Sequence, residues 1–261
     1  MDNDTLWETV RGEALEQIHR EPTLASYFHA VVLAHHSLED ALGSHLATKL
    51  AGATVGELTM RDLLQEAFAA TPENAAKCRR DLQAVKDRDP ACRGYFTAIL
   101  YFKGFQALQA YRAAHHYWTN GREALALFLQ SRIAEAFSVD IHPAARLGSG
   151  ILIDHGTGVV IGETAVIDDD VSMLHDVTLG GTGKETGDRH PKVRGGVLIG
   201  AGAKILGNIE IGEGSLVGAG SVVLQAVPAH CTVAGVPAKI VRRGRTDAPA
   251  LGMDQQLSWD I

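Results

Sequence analysis

Cysteine is scarce in this chain, which contains only Cys78, Cys92 and Cys231 in 261 residues. Three scattered cysteines provide neither a disulfide framework nor a paired metal-binding spacing, which suits a reducing compartment such as the cytoplasm. Long apolar runs are also missing, so the sequence predicts no membrane-spanning helix. The first ten residues, MDNDTLWETV, are acidic where a signal or transit peptide would be basic, so we expect no targeting segment.

Positive charge is in deficit as well. The chain has 24 lysines and arginines against 31 aspartates and glutamates, and this balance of −7 argues against a nucleic-acid binder. An anionic ligand would therefore need a local group of basic side chains. The candidates for such a group are Lys184, Arg189, Lys192, Arg194, Lys204, Lys239, Arg242, Arg243 and Arg245.

What the sequence does contain is an aliphatic residue at every sixth position through much of the stretch from Asp140 to Val227. The runs are Ile141, Leu147, Ile153, Val159; Ile161, Ile167, Met173, Leu179; and Ile199, Ile205, Ile211, Val217, Val223. A period of six fits neither a helix nor an alternating strand. It is typical of a parallel β-helix of hexapeptides, whose aliphatic residues point into one shared core. A β-sandwich is the alternative, but its short strands would not keep one phase for so long.

Two interruptions break this period. The shorter, at Ile153–Ile161, adds two residues to one hexad, and the longer, at Leu179–Ile199, adds fourteen. Within the longer one, Thr182–Gly196 (TGKETGDRHPKVRGG) is polar and basic, with Val193 as its one aliphatic residue. We interpret this stretch as a loop that protrudes from the coil, the alternative being a degenerate turn of the repeat. Long loops on a rigid scaffold are often functional.

Residues 1–137 lack the six-residue period and show helical signals. Thr71-Pro72-Glu73 is a helix start, Tyr95 to Trp118 is rich in aromatic residues, and Arg122 to Phe137 has aliphatic residues at helical spacing. Asp89 precedes a proline and is expected in an exposed loop. These signals predict a helical domain that covers one end of the coil or mediates association.

The expected fold class is therefore α+β, with three parts. Residues 1–137 form an all-helical N-terminal domain that serves oligomerisation, residues 138–243 form the parallel β-helix with its protruding loop, and residues 244–261 form a flexible C-terminal tail. The tail is predicted because its residues are mostly small, polar or acidic, with few apolar groups.

His155, in the segment IDHGTG, is the main catalytic candidate from spacing alone. Asp140 precedes it by fifteen residues, close to one coil of three hexads, which would place the two side chains on neighbouring coils. A carboxylate beside an imidazole orients the ring and stabilises its charged form, as a general base requires. A structural histidine is one alternative. A zinc site is another, in which adjacent coils bring together His142, His175 and His190, although the six-residue phase does not group these residues well.

Several segments resemble the serine O-acetyltransferase family. They are VDIHPAA, DHGTGVVIGETAVI, VTLGGTGKETGDRHPK, IGAGAKILGNIEIG, VGAGSVV and AGVPAKIV. The helical front, including RDPAC, resembles the N-terminal domain of that family, so the resemblance covers nearly the whole chain. The six-residue period alone would indicate only some acyltransferase, whereas GGTGK followed by GDRHPK is much more specific.

This resemblance implies a left-handed β-helix, homotrimers with active sites between neighbouring coils, and two trimers joined through the helical domains. It also implies direct transfer of acetyl from acetyl-CoA to L-serine, without an acyl-enzyme or a metal, as the first step of cysteine biosynthesis from serine. By the same match His155 would be the general base and Asp140 its orienting partner.

The match also assigns the binding residues. Asp89 and Asp154 would hold the serine ammonium, while Arg189 and His190 would hold its carboxylate, an arrangement that charge complementarity supports. The implied acetyl-CoA-binding residues are Gly180, Gly181, Thr182, Ala201, Ala219 and Lys239. The small residues would leave room for the pantetheine arm.

The C-terminal end, Trp259-Asp260-Ile261, resembles the family in its final isoleucine, which there inserts into the active site of O-acetylserine sulfhydrylase. Feedback inhibition by cysteine at the serine site is a further family expectation. Two alternatives stay open: a transferase that uses homoserine or a sugar as its acceptor, and a protein that acts mainly as a regulatory partner of the sulfhydrylase.

Overall fold

The computed structural model describes residues 3–70, 72–183, 185–244 and 248–255, with side chains from Thr5 onward. Helices occupy the part before Ser138, and a short 3-10 turn and a π-helical stretch flank the second of them. The helices are α1 Asn3–Arg20, α2 Ala25–Phe28, α3 Leu38–Leu50, α4 Glu57–Ala70, α5 Pro72–Arg88, α6 Tyr95–Tyr101, α7 Lys103–Thr119 and α8 Glu123–Phe137.

Local signals explain where some of these helices begin. Ser37 caps α3 by accepting a hydrogen bond from the Asp40 amide, 3.1 Å away. Helix α5 begins at Pro72, whose missing amide hydrogen costs nothing in the first turn. The predicted cap Thr71 lies outside the described residues. Of the described helices, none is long and apolar enough to cross a membrane.

A parallel left-handed β-helix follows, built from very short strands. In chain order these are β1 Val139–Ile141, β2 Arg146–Leu147, β3 Leu152–Ile153, β4 Val159–Ile161, β5 Val166–Ile167, β6 Ser172–Met173, β7 Thr178–Gly180, β8 Lys192–Val193, β9 Leu198–Ile199, β10 Lys204–Leu206, β11 Glu210–Ile211, β12 Leu216–Val217, β13 Val222–Val223, β14 Thr232–Gly235 and β15 Ala238–Arg242.

Successive strands fall on the three flat sides of the coil. Sheet A has the order β1-β4-β7-β10-β13, sheet B has β11-β8-β5-β2, and sheet C has β15-β14-β12-β9-β6-β3. The parallel register stacks the hexad residues directly on one another, as Ile161 on Ile141 and Met173 on Ile153. Each of these side chains is buried, which confirms the inward positions that the period predicted.

The protruding loop is shorter than the sequence predicted. Lys192 and Val193 form β8, which pairs with β5 on one side and β11 on the other, and Val193 is fully buried. The excursion therefore spans about residues 181–191, and the last part of Thr182–Gly196 returns to the coil. Val193 is six residues before Ile199, so the period resumes there rather than one strand later.

The aromatic segment predicted from Tyr95 to Trp118 is interrupted rather than continuous. Phe102, with φ −88° and ψ 96°, separates α6 from α7. Helix α7 then lies directly against the coil, because a Cβ built on Gly104 would be 2.0 Å from the Ile153 carbonyl oxygen. The break thus lets α7 approach the end of β3.

A buried ion pair also joins the helices to the coil. The Arg112 Nη2 atom in α7 lies 2.6 Å from Asp81 Oδ2 in α5, and both side chains are almost fully buried. Asp81 accepts a hydrogen bond from the Ile151 amide, while Arg112 donates to the Gly148 carbonyl. Both charged side chains are therefore hydrogen-bonded where the helices contact the coil, as buried charges require.

Part of the predicted flexible tail is ordered. After the β14–β15 hairpin, Pro249–Gly252 forms a short helix, α9, and Ala250 is fully buried. The Ala250 carbonyl accepts a hydrogen bond from the Ser172 hydroxyl at 2.8 Å. Small residues suggested flexibility from sequence, but here their size allows close packing on sheet C. Within the tail predicted from residue 244, Pro249–Gly252 therefore packs on the coil, and Ile261 lies outside the described residues.

Candidate active site

The candidate residues lie on two edges of the triangular coil. The C–A edge, where the chain passes from sheet C to sheet A, consists of residues 154–158, 174–177, 200–203 and 218–221. The A–B edge, between sheets A and B, consists of residues 142–145, 162–165, 181–191 and 207–209. Sheet A separates the two edges in a single chain.

His155 stands on the C–A edge, two residues after β3. Its backbone is left-handed, with φ +57°, and its side chain is 74% exposed. His175 occupies the C–A edge one coil further, with the two ring centroids 5.8 Å apart in an edge-to-face arrangement. The turn is also tight, because a Cβ on Gly156 would lie 3.1 Å from Val139 Cγ2. The fold therefore holds the His155 ring out from the coil.

Two carboxylates lie beside His155. Asp154 Oδ1 is 3.9 Å from His155 Nε2, and Asp89 comes from the loop directly after α5. All three residues line one cavity of about 320 Å³, together with Tyr101 and Lys103. A neighbouring cavity of about 640 Å³ shares Asp89 and Asp154. The structure thus brings Asp89, Asp154 and His155 together.

The surroundings in this cavity change the pKa of Asp154. Burial raises the pKa of the Asp154 carboxyl, and the nearby charge of Asp89 raises it further, while His155 acts in the opposite direction. Two carboxylates and an imidazole facing one space form a site that would favour a bound cation such as an ammonium group.

Arg189 and His190 lie together on the A–B edge. The Arg189 guanidinium donates to Glu163 Oε2 at 2.6 Å, and His190 Nδ1 accepts from the Thr164 amide at 3.1 Å. The His190 ring lies over Gly162, where a Cβ would be 2.1 Å from the ring. Burial lowers the pKa of His190 and the Arg189 charge lowers it further, which favours the neutral imidazole.

The histidines of the zinc alternative do not come together. His175 is on the C–A edge, whereas His142 and His190 are on the A–B edge. The described parts of the chain hold no group of three or more histidine, cysteine, aspartate or glutamate side chains arranged for a metal ion. One chain therefore offers no zinc site from these three residues.

Asp140 is not placed as the spacing predicted. It lies in the middle of β1, and its Oδ1 atom accepts a hydrogen bond from Gln130 Nε2 of α8 at 2.6 Å. Among the described residues no hydrogen bond joins Asp140 to His155, because one side chain is on the face of sheet A and the other on the C–A edge. Asp154, rather than Asp140, is the carboxylate described next to the His155 ring.

The residues assigned to acetyl-CoA also divide between the two edges. Ala201 and Ala219 are on successive coils of the C–A edge, whereas Gly180 ends β7 and Gly181-Thr182 opens the loop of the A–B edge. Lys239 is exposed on β15, at the far end of the coil. Of the basic candidates, Lys184 and Arg245 lie outside the described residues.

Sequence reasoning did not single out Glu163 or Lys103. Glu163 pairs with Arg189, and Lys103 donates a hydrogen bond to the Thr157 hydroxyl of the turn that carries His155. A signal for Glu163 does exist in the sequence, because it is an acidic residue of the repeat that precedes a basic loop. No sequence pattern identifies Lys103, because its position near His155 depends on the break in the helix at Phe102.

Helices followed by a left-handed coil of hexapeptides, with an exposed histidine between carboxylates, define the class of hexapeptide-repeat acyltransferases. Residues 6–110 match the family model "Serine acetyltransferase, N-terminal", and residues 190–225 match "Bacterial transferase hexapeptide (six repeats)". The chain belongs to the serine acetyltransferase family, as its similarity to a curated member over nearly its full length shows.

That relative is a serine acetyltransferase of Salmonella typhimurium, 55% identical over 98% of this chain and 93% of its own length. A solved serine acetyltransferase in complex with cysteine has 51% identity and a TM-score of 0.96, and the match covers 98% of this chain and 100% of that one. A Brucella abortus serine acetyltransferase in complex with coenzyme A has 50% identity and a TM-score of 0.91, covering 94% and 98%.

Proposed function

We propose that the chain transfers the acetyl group of acetyl-CoA to the hydroxyl of L-serine, giving O-acetyl-L-serine and CoA, in the first step of cysteine biosynthesis from serine. Family membership and a relative that binds coenzyme A support the reaction. The observation that carries it is the cavity that Asp89, Asp154 and His155 line together. An amino acid with a free hydroxyl suits this cavity, because the two carboxylates can bind its ammonium group beside a base.

In this proposal His155 is the general base. The neutral imidazole takes the proton from the serine hydroxyl as its oxygen attacks the thioester carbonyl carbon. The carbon–sulfur bond then breaks, and the proton passes from His155 to the CoA sulfur. Transfer is direct, without an acyl-enzyme. Gln130 binds only the Oδ1 atom of Asp140, so the Oδ2 atom can still accept from a histidine, and Asp140 is proposed to orient His155 in the assembled protein. Within one chain, Asp154 gives the nearest electrostatic support of the imidazolium.

The serine carboxylate would be bound by Arg189 and His190, and here the geometry supports a shared site. These residues lie on the A–B edge, whereas His155 lies on the C–A edge of the same chain. One serine molecule, only a few ångströms long, can contact both groups if two chains place these edges side by side. A homotrimer with three such interfaces meets this requirement, and we infer that the helical domains join two trimers.

The same interface would hold acetyl-CoA. Ala201 and Ala219 from one chain and Gly180, Gly181 and Thr182 from its neighbour would line the pantetheine arm, where small side chains permit close approach. Lys239 would bind the nucleotide end through its ammonium group. The proposed reaction uses no metal ion bound to the protein.

Regulation and partners form a further part of the proposal. Cysteine differs from serine only in carrying a thiol for the hydroxyl, so the same charged groups would bind it, and a related structure contains cysteine. We therefore infer feedback inhibition at the serine site. The final Ile261 would dock into O-acetylserine sulfhydrylase. The three cysteines are free and buried, which supports a reducing compartment such as the cytoplasm.

The experiment is an assay of CoA thiol release by the purified protein with L-serine, homoserine, a sugar acceptor or no acceptor. We expect serine to give the highest kcat/KM by at least about tenfold. His155→Ala should lower kcat by roughly 10²–10⁴ while the fold is kept. His19→Ala, on the exposed side of α1, is the control and should retain full activity. Faster turnover of homoserine or a sugar, or full activity of His155→Ala, would contradict the proposal.

A further inference from the structure

Arg88 ends helix α5 and directly precedes Asp89. The Asp89 amide donates to the Val85 carbonyl at 3.1 Å, so the backbone of Asp89 continues the last turn of the helix. Its side chain is held as well, because the Ala91 amide donates to Asp89 Oδ1 at 2.8 Å. The position of Asp89 in the cavity therefore follows the position of the end of α5.

The Arg88 side chain fastens that end of the helix to the coil. It is only 6% exposed, and its Nη1 atom donates to the Gly150 carbonyl at 2.9 Å and to Ser172 Oγ at 3.1 Å. Its Nη2 atom donates to Asp170 Oδ1 at 3.0 Å. The planar guanidinium is suited to this set, because it presents several donors in fixed directions, which a lysine ammonium cannot reproduce.

One of these contacts leads to the second carboxylate of the cavity. Ser172 and Met173 form β6, which pairs with β3 in the register Leu152 to Ser172 and Ile153 to Met173. The Met173 carbonyl accepts the Asp154 amide at 2.8 Å. Arg88 therefore binds the strand that holds Asp154 and, through the chain, is continuous with Asp89.

We propose that Arg88 is a positioning residue for the amino-acid substrate, which sets the separation of Asp89 and Asp154 by tying the end of α5 to strand β6. The proposal rests on the function proposed above, in which these two carboxylates bind the serine ammonium. Both must reach the same group, so a shift of about 1 Å in one of them weakens binding markedly. Acetyl-CoA, whose assigned residues lie elsewhere on the coil, is not held by this connection.

The test compares Arg88→Met with Arg80→Met. Arg80 is on the same helix and also pairs with Asp170, but its side chain is 48% exposed and lies more than two turns before Asp89. We expect Arg88→Met to raise the KM for serine about tenfold or more and to leave the KM for acetyl-CoA within about twofold. Arg88→Lys should give an intermediate value, and Arg80→Met should match the wild type within about twofold.

A parallel rise of both KM values, or equal effects of the Arg88 and Arg80 substitutions, would show a merely structural role and overturn the inference. If Arg88→Met does not fold, Ser172→Ala decides, since it removes one acceptor of Arg88 and should raise the KM for serine about two- to fivefold. An unchanged KM for serine in that variant would also overturn the inference. Wild-type protein without serine-dependent CoA release would instead contradict the proposed function itself.

Discussion

The position of the Asp154 carboxylate lowers the stability of the folded chain at neutral pH. Burial raises its pKa above the ordinary value of 3.8, and Asp89 adds to the effect. A carboxyl with a raised pKa in the folded state stabilises the fold fully below its unfolded pKa, and this contribution is lost as the pH rises through the folded pKa. At neutral pH the ionised form is thus less favourable in the folded chain than in the unfolded one.

Asp154→Asn removes this charge, so its effect on thermal unfolding should show how much the buried carboxylate destabilises the fold. We expect thermal unfolding at pH 7 to move up by about 1–3 °C, because a neutral amide avoids the penalty of the buried charge. The gain should disappear near pH 3, where Asp154 of the wild type is protonated, while the KM for serine rises at pH 7. Glu8→Gln, an exposed substitution on α1, is the control and should leave the unfolding temperature at pH 7 unchanged. A lower unfolding temperature at pH 7 would contradict this account.

Individual contacts show where sequence reasoning ends. The resemblance assigned Asp89, Asp154 and His155 to one site, and the structure places them around one cavity. The spacing of Asp140 suggested contact with His155, yet Gln130 binds Asp140 instead. That contact depends on how α8 docks against β1, and a six-residue period contains no information on helix docking.

At the element scale, the strands were predictable and the helix break was not. Each hexad must point one aliphatic residue into the core of the coil. The six-residue period therefore predicts the buried face of nearly every strand. Polar residues surround Val193 in the sequence, so the pattern places it in the loop although the six-residue period resumes there. The break at Phe102 has no proline or turn signal to mark it, and what it permits, the packing of α7 on β3, is a tertiary contact.

The contact between Gly104 and Ile153 predicts opposite effects for two glycine substitutions in helices. Gly104→Ala should destabilise the protein by about 1–3 kcal/mol or more, because the added Cβ would be 2.0 Å from the Ile153 carbonyl oxygen. Gly12→Ala, in α1 with nothing within 4 Å of the added Cβ, should stabilise it by about 0.5–1 kcal/mol. Unfolding midpoints in denaturant measure both, and equal midpoints for the two variants would contradict the close packing of α7 on the coil.

In the molecule as a whole, the β-helix of one chain keeps the two halves of the proposed site on different edges. His155 with its carboxylates is on the C–A edge, Arg189 with His190 is on the A–B edge, and sheet A lies between them. The six-residue period predicts the coil. It does not show on which edge a residue lies, because that depends on the sheet to which each neighbouring strand belongs. The division itself follows from which sheet each strand joins. Under the proposed function, neighbouring chains would complete one another's sites.

Co-expression of His155→Ala with Arg189→Ala tests this shared site most directly. Each variant alone should show little serine-dependent CoA release, since every site lacks either the base or the carboxylate-binding guanidinium. When the two variants assemble into trimers at random, roughly a quarter of all sites would take an intact histidine from one chain and an intact arginine from its neighbour. We expect recovery of about that share of wild-type activity, whereas mixed trimers that stay as inactive as the separate variants would contradict a shared site.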